Sequence, residues 1–268
     1  MAGRRRVARG IVIESLCQRA SDATGCRIVA LRPLDSERSE VWQVRFDGRL
    51  AVLTVRSPVV GDSTAACDFA FEIASHRRAA DASVAPALLW VDADAKSFIA
   101  EWAFTPITPS ITMWRAVGQQ LATLHALGDA VSVRRTSLTA AAHAYAAMAD
   151  ARHEAHVATL VSCIADNERK RDNAETVLCH RDPGPGNIVG DTTPLLIDWE
   201  YAGPASRWFD IAVVVDGFDL DDGDQRSLLD GYTAVLPHVA ADEMAIARER
   251  STHAAIAALW RLTLPAIT

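Results

Sequence analysis

Lysine is scarce in this chain. Of 27 basic residues only Lys96 and Lys170 are lysines, so any site that needs a fixed cation must draw on arginine. Long apolar runs are missing as well. The basic segment Met1–Arg9 is followed only by Ile11, Val12 and Ile13, far too short for a secretory core or a membrane span, and a cytoplasmic protein is expected. The five cysteines (Cys17, Cys26, Cys67, Cys163 and Cys179) are odd in number, scattered and free of any C-x-x-C pair. That excludes a disulfide framework and a zinc site and leaves small, reduced, mostly buried side chains. A net charge of −7 argues against nucleic acid, whose phosphates the chain would repel. No internal repeat is visible, and the oligomeric state is not legible.

What is present reads as two regions. Val12–Ala20 has helical apolar spacing; Arg27–Leu31, Val41–Phe46 and Leu50–Val55 read as strands, with Asp47-Gly48 as a hairpin turn between the last two. A helix over Asp68–Ala80 and strands at Ala87–Val91 and Ser97–Glu101 complete a small lobe of antiparallel sheet with a helix. Thr105-Pro106 and Thr108-Pro109 interrupt the chain, and Ser110 is a good N-cap for the next helix, whose apolar face is Trp114, Val117, Leu121 and Leu124 and whose stop is Gly128. Ala-rich segments around Thr139–Ile164 and Asp242–Leu262 continue a helical region. The predicted boundary separates residues 1–102 from 103–268.

The chemistry concentrates between Val177 and Val215. His180-Arg181-Asp182 is followed by Asn187, and the apolar run Leu195–Ile197 then delivers Asp198. The spacing H-R-D-x-x-x-x-N resembles a kinase catalytic loop. Phosphoryl transfer builds negative charge on several oxygens, so it needs positioning and cations held by oxygen ligands. Asp182 suits the base that accepts the proton of the attacking hydroxyl; Asn187 and Asp198 suit magnesium. The simpler reading, an Asp-Pro-Gly turn joining two strands, does not account for the second acidic strand end.

IDWEYAG at Ile197–Gly203 and WFDIA at Trp208–Ala212 narrow the resemblance to the aminoglycoside phosphotransferase and choline kinase superfamily, on its choline, ethanolamine and thiamine kinase branch. The resemblance implies an α+β, protein-kinase-like two-lobe fold, with a small N-terminal antiparallel-sheet lobe that grips ATP and a larger, mostly helical C-terminal lobe. It implies an ATP- and Mg2+-dependent transfer to a small-molecule alcohol, with antibiotic phosphorylation as the alternative and a catalytically silent nucleotide-binding protein as the third reading. It also makes His180 and Asp210 structural braces of the loop rather than proton carriers.

The nucleotide grip departs from the kinase pattern. No lysine lies on the third strand; the L-R-x-P wording common in the superfamily points to Arg56, and Thr54 is the competing alignment. Glu72 on the following helix is the matching ion-pair partner. The loop LRPLDSERSEVW has no glycine, so Ser36, Ser39 and nearby amides are left to cover the phosphates. Adenine should bond the backbone at Glu101-Trp102-Ala103. Glu200 and Tyr201 are candidates for the substrate, which the carboxylates of the Asp216–Asp224 turn would allow to be cationic. The same carboxylates also fit an acidic turn opening a helix, and that reading is preferred. His153 and His156 fit a solvated face better than a metal, and His125 in L-A-T-L-H is structural.

Overall fold

A computed structural model describes residues 2–36, 39–56, 68–128, 137–170 and 176–263, with side chains from residue 12 onward. Cys67, the Ser57-Pro58 end of the L-R-x-P wording and the side chains of Met1–Arg9 lie outside the described residues. The chain forms two compact units, residues 1–61 with 86–102, and residues 62–85 with 103–268.

The first unit is a five-stranded antiparallel sheet with one helix on it. Helix α1 (Ala2–Thr24) precedes β1 (Ile28–Leu34), β2 (Glu40–Phe46), β3 (Arg49–Val55), β4 (Leu88–Asp92) and β5 (Ser97–Glu101), in the spatial order β1-β2-β3-β5-β4. Asp47 and Gly48 make the β2–β3 turn with positive φ at both residues (45° and 85°), the geometry a two-residue hairpin requires. Strand alternation sorts the side chains. Ala51 and Leu53 join Ile99 and Val44 under Ile13, Leu16, Cys17 and Ala20 of α1. Val52 and Thr54, and across the pairing Phe98 and Ala100, therefore face the other way.

The second unit is mostly helical: α2 (Phe69–Asp81), α3 (Ile111–Ala126), α4 (Leu138–Met148), α5 (Glu154–Arg169), α6 (Arg207–Gly217), α7 (Asp222–Val235) and α8 (Glu243–Leu262). The helix expected in the small lobe, α2, is thus grouped with this unit, where it packs against the turn Trp199–Tyr201. Its N-cap is Asp68, whose carboxylate accepts from the amides of Ala70 and Phe71. Ser110 caps α3 as its sequence position suggests, accepting from Met113 N–H at 3.1 Å. The Ala-rich stretch expected over Thr139–Ile164 is broken: α4 ends at Met148, and Asp150 caps a short turn (Ala151–His153) that leads into α5.

Helices α3 and α7 cross at close range. A Cβ on Gly118 would collide with the Leu228 carbonyl, and one on Gly231 with the Arg115 carbonyl. Only glycine at both positions permits the approach. Short strands complete the unit: β6 (Thr176–Cys179) pairs with β9 (Gly203–Ser206), and β7 (Ile188–Val189) with β8 (Leu195–Leu196). Among the described residues no helix is long and apolar enough to cross a membrane.

Candidate active site

Two strand pairs carry the site. β6 ends at Cys179, and the chain then runs through His180, Arg181 and Asp182 to β7, while β8 ends one residue before Ile197 and Asp198. The hairpin of β7 and β8 brings the second acidic residue back to the first loop, because Ile197 N–H donates to the Asn187 carbonyl at 3.0 Å. The Asn187 side-chain amide donates to Asp182 twice, to the backbone carbonyl at 2.9 Å and to Oδ2 at 2.8 Å. With its nitrogen turned to Asp182, Asn187 offers its side-chain oxygen as the group for a cation.

Arg181 (φ 69°) and Asp198 (φ 64°, ψ 70°) both occupy the left-handed region, which costs a non-glycine residue free energy and needs outside support. Asp210 supports the first. Its carboxylate, fully buried at the start of α6, accepts the amide of His180 on Oδ2 and that of Arg181 on Oδ1, both at 2.8 Å. Burial alone would raise that carboxyl, but the His125 hydrogen bond and the backbone amide of His180 help hold it below its usual value. His180 braces the second: its Nε2 bonds the Ile197 carbonyl at 2.9 Å, which fixes it as the donor, and Nδ1 accepts from the Asp182 amide at 3.3 Å. Burial lowers its pKa and keeps the ring neutral.

Trp199 wedges the Asp198 backbone in place. Its indole meets His180 edge-on at 4.7 Å and stacks on His76 of α2 at 6.1 Å, while its N–H bonds the Leu196 carbonyl at 3.0 Å. The Arg181 guanidinium bonds the Pro204 carbonyl and so ties the loop to β9.

Asp182 is an acid under pressure. Burial first, then the charges of Asp198 and Glu200, push its carboxyl up to about 7 against the pull of the Asn187 hydrogen bond. A carboxyl raised in this way marks a site short of positive charge. Asp198 and the Asn187 oxygen are hard donors, so the residues fit a magnesium ion.

The other sequence candidates divide. Arg56, just past β3, donates to Ser39 Oγ at 2.7 Å and lies 5.9 Å over the Phe98 ring, while Thr54 is buried on the same strand face. Glu72 is buried in α2, not a solvated helix carboxylate. The Glu101 amide is spent on the Ala87 carbonyl. Tyr201 packs against the core formed by α4, α5 and α8. In the acidic turn, Asp221 caps α7, Asp222 and Asp224 sit in its first turn, and Asp216 binds Arg250 at 2.6 Å; the structural reading holds. The residues not singled out by sequence are Trp199 as wedge, His76, the Arg181 side chain and Tyr232. Their roles depend on contacts between distant segments, and only Trp199, inside the motif, carried a signal.

Comparison with known proteins bears on the family and the fold. A family model for a phosphotransferase enzyme family matches residues 30–248. No curated protein sequence matches the chain. Among solved structures, the choline kinase LicA from Streptococcus pneumoniae is similar over 94% of this chain and 90% of its own, with 14% identity and a TM-score of 0.74. An ethanolamine kinase from Plasmodium vivax is similar over 90% of this chain and 78% of its own (14% identity, TM-score 0.66). An aminoglycoside-3'-phosphotransferase of type VIII is similar over 87% and 94% (18% identity, TM-score 0.63). All three likenesses concern the fold, which is protein-kinase-like.

Proposed function

The chain belongs to the phosphotransferase enzyme family, and from that premise we propose that it transfers the γ-phosphoryl group of magnesium–ATP to the hydroxyl of a small alcohol of the choline, ethanolamine or thiamine type. The observation that carries the reading is the meeting of Asp182, Asn187 and Asp198 on one pair of loops, with Asn187 bonded to Asp182 and Ile197 bonded to Asn187. Asp182 takes the hydroxyl proton as the substrate oxygen bonds to the γ-phosphorus and the bond to the departing ADP oxygen breaks. Asn187 and Asp198 would hold magnesium. Bound there, the ion offsets negative charge on the phosphate oxygens.

Arg56 is the proposed clamp on the α- and β-phosphates, with Ser39 beside it, and Glu72 its proposed ion-pair partner. Trp102–Ala103, next to Glu101, is the proposed hinge for adenine. The push of Asp198 and Glu200 on Asp182 supports a cationic acceptor, whose charge would relieve it. That the LicA and Plasmodium vivax proteins are choline and ethanolamine kinases agrees with this. A coupled assay of nucleotide consumption across choline, ethanolamine, thiamine, a sugar, an aminoglycoside and a macrolide tests the reading. Turnover with one of the first three is expected; turnover confined to an antibiotic would replace it.

A further inference from the structure

We propose that Tyr232 is a positioning residue for the catalytic loop, holding the His125 imidazole against Asp210 and, through Asp210, the backbone of His180 and Arg181. The proposal rests on the reading of Asp182 as the base that this backbone presents.

The contact exists because α3 and α7 cross at Gly118 and Gly231. Tyr232, the residue after the second glycine, is fully buried, with its hydroxyl 2.8 Å from His125 Nδ1. On the far side of the ring, His125 Nε2 lies 3.2 Å from Asp210 Oδ2. Asp210 is held ionised and already accepts two amides, so it has no proton to give; the proton of that bond is on Nε2. In a ring protonated once, Nδ1 is then the acceptor and the phenol donates to it. A side-chain hydrogen bond from Arg207 also acts on the Tyr232 phenol. Burial raises the phenol pKa, so the donor persists at any working pH.

The Tyr232 hydroxyl and Asp210 engage opposite nitrogens of one ring and so fix its position between them, and Asp210 in turn holds two consecutive amides, one of them on the left-handed Arg181 just before Asp182. His125, Cys179 and Asp210 are close enough together to be considered as metal ligands. Both ring nitrogens of His125 and both oxygens of Asp210 are already committed to hydrogen bonds, so the cluster is a junction of hydrogen bonds and not an ion site.

Tyr232→Phe removes the donor and keeps the ring that packs on His125 and Trp208. In protein labelled with 15N-histidine, with His125 assigned by His125→Gln, the wild-type ring is expected as Nε2–H with Nδ1 accepting a hydrogen bond, and the variant with Nδ1 shifted to the value of a nitrogen without a donor. Amide exchange at His180 and Arg181 should accelerate about tenfold, the scale of one net hydrogen bond, while the amides of Leu16 and Ile99 stay unchanged. His125→Gln should accelerate the same two amides. With magnesium–ATP and choline, kcat should fall about tenfold and KM for ATP should hold. An unchanged Nδ1 shift with unchanged exchange overturns the proposal, and so does equal acceleration at every amide. If the wild type turns over none of choline, ethanolamine and thiamine, the acceptor reading fails, while the Nδ1 shift and exchange still decide the role of Tyr232.

Discussion

The Asn187 side-chain amide donates to Asp182 Oδ2 across 2.8 Å, so the proposed metal ligand and the proposed base hold each other. A residue that stabilises the charged carboxylate and at the same time orients it explains why a loop rich in proline and glycine can present a base at a fixed place. Asp182→Asn keeps the shape of that contact and removes the base. Turnover should fall by roughly two or more orders of magnitude with nucleotide affinity nearly intact. Wild-type rates on the true substrate would reassign the loop.

The same substitution should stabilise the ligand-free protein at neutral pH. Asp182 is raised to about 7 from an ordinary 3.8, so its folded form binds a proton that its unfolded form releases between those values. Its contribution therefore weakens as pH rises from about 4 to 7. His180 acts in the opposite sense: lowered from 6.5 by burial, it stays neutral when folded, and stability drops as pH falls below 6.5, where the unfolded ring is charged. Asp210, lowered from 3.8, contributes above that value and loses its contribution as pH falls through the folded pKa. The melting temperature of Asp182→Asn minus that of wild type should thus grow from pH 4 to 7, reaching roughly 2–4 °C for about 1 kcal/mol of relief in a chain near this size. The variant alone should lose stability below pH 6.5. Parallel curves for the two proteins would show that burial and the charges of Asp198 and Glu200 do not raise Asp182.

Asp198→Ala should abolish the magnesium-dependent part of nucleotide binding, because Asn187 alone offers a neutral amide oxygen. Thermal shifts with ATP, with and without magnesium, measure this. Equal stabilisation of wild type and variant by magnesium–ATP removes Asp198 from the site.

The parts that sequence revealed are those whose determinants are contiguous. His180 to Asn187 is one short loop, the Asp47-Gly48 turn needs two residues, and the Ser110 cap reads against its own helix. The break between α4 and α5 was hidden because alanine is uniform across it, and the stop is made by Asp150 capping the next turn. The grouping of α2 with the helical unit, the burial of Glu72 in it and the wedge of Trp199 between His76 and His180 are tertiary facts, as is the link from Tyr232 to His125. That link depends on two glycines in different helices being aligned, which neither helix shows alone.

Arg56 is the cation that would compensate for the missing lysine. In the first unit its guanidinium bonds Ser39 at 2.7 Å and lies over Phe98, which holds it at the end of β3 on the face away from α1. Thr54 shares that face but is short, buried and uncharged. If Arg56 clamps the α- and β-phosphates, Arg56→Ala should weaken magnesium–ATP binding by about 1.5–3 kcal/mol, the range for hydrogen bonds to charged groups. Arg56→Lys should recover part of the loss, since it keeps the charge and gives up the two-pronged donor. Adenosine, without phosphates, should bind all three proteins alike. Calorimetric titration of each with both ligands separates a phosphate contact from a general weakening of the lobe, which would reduce adenosine affinity too. Unchanged ATP affinity in Arg56→Ala would confine the residue to its bond with Ser39, and the phosphates would then depend on magnesium and backbone amides alone.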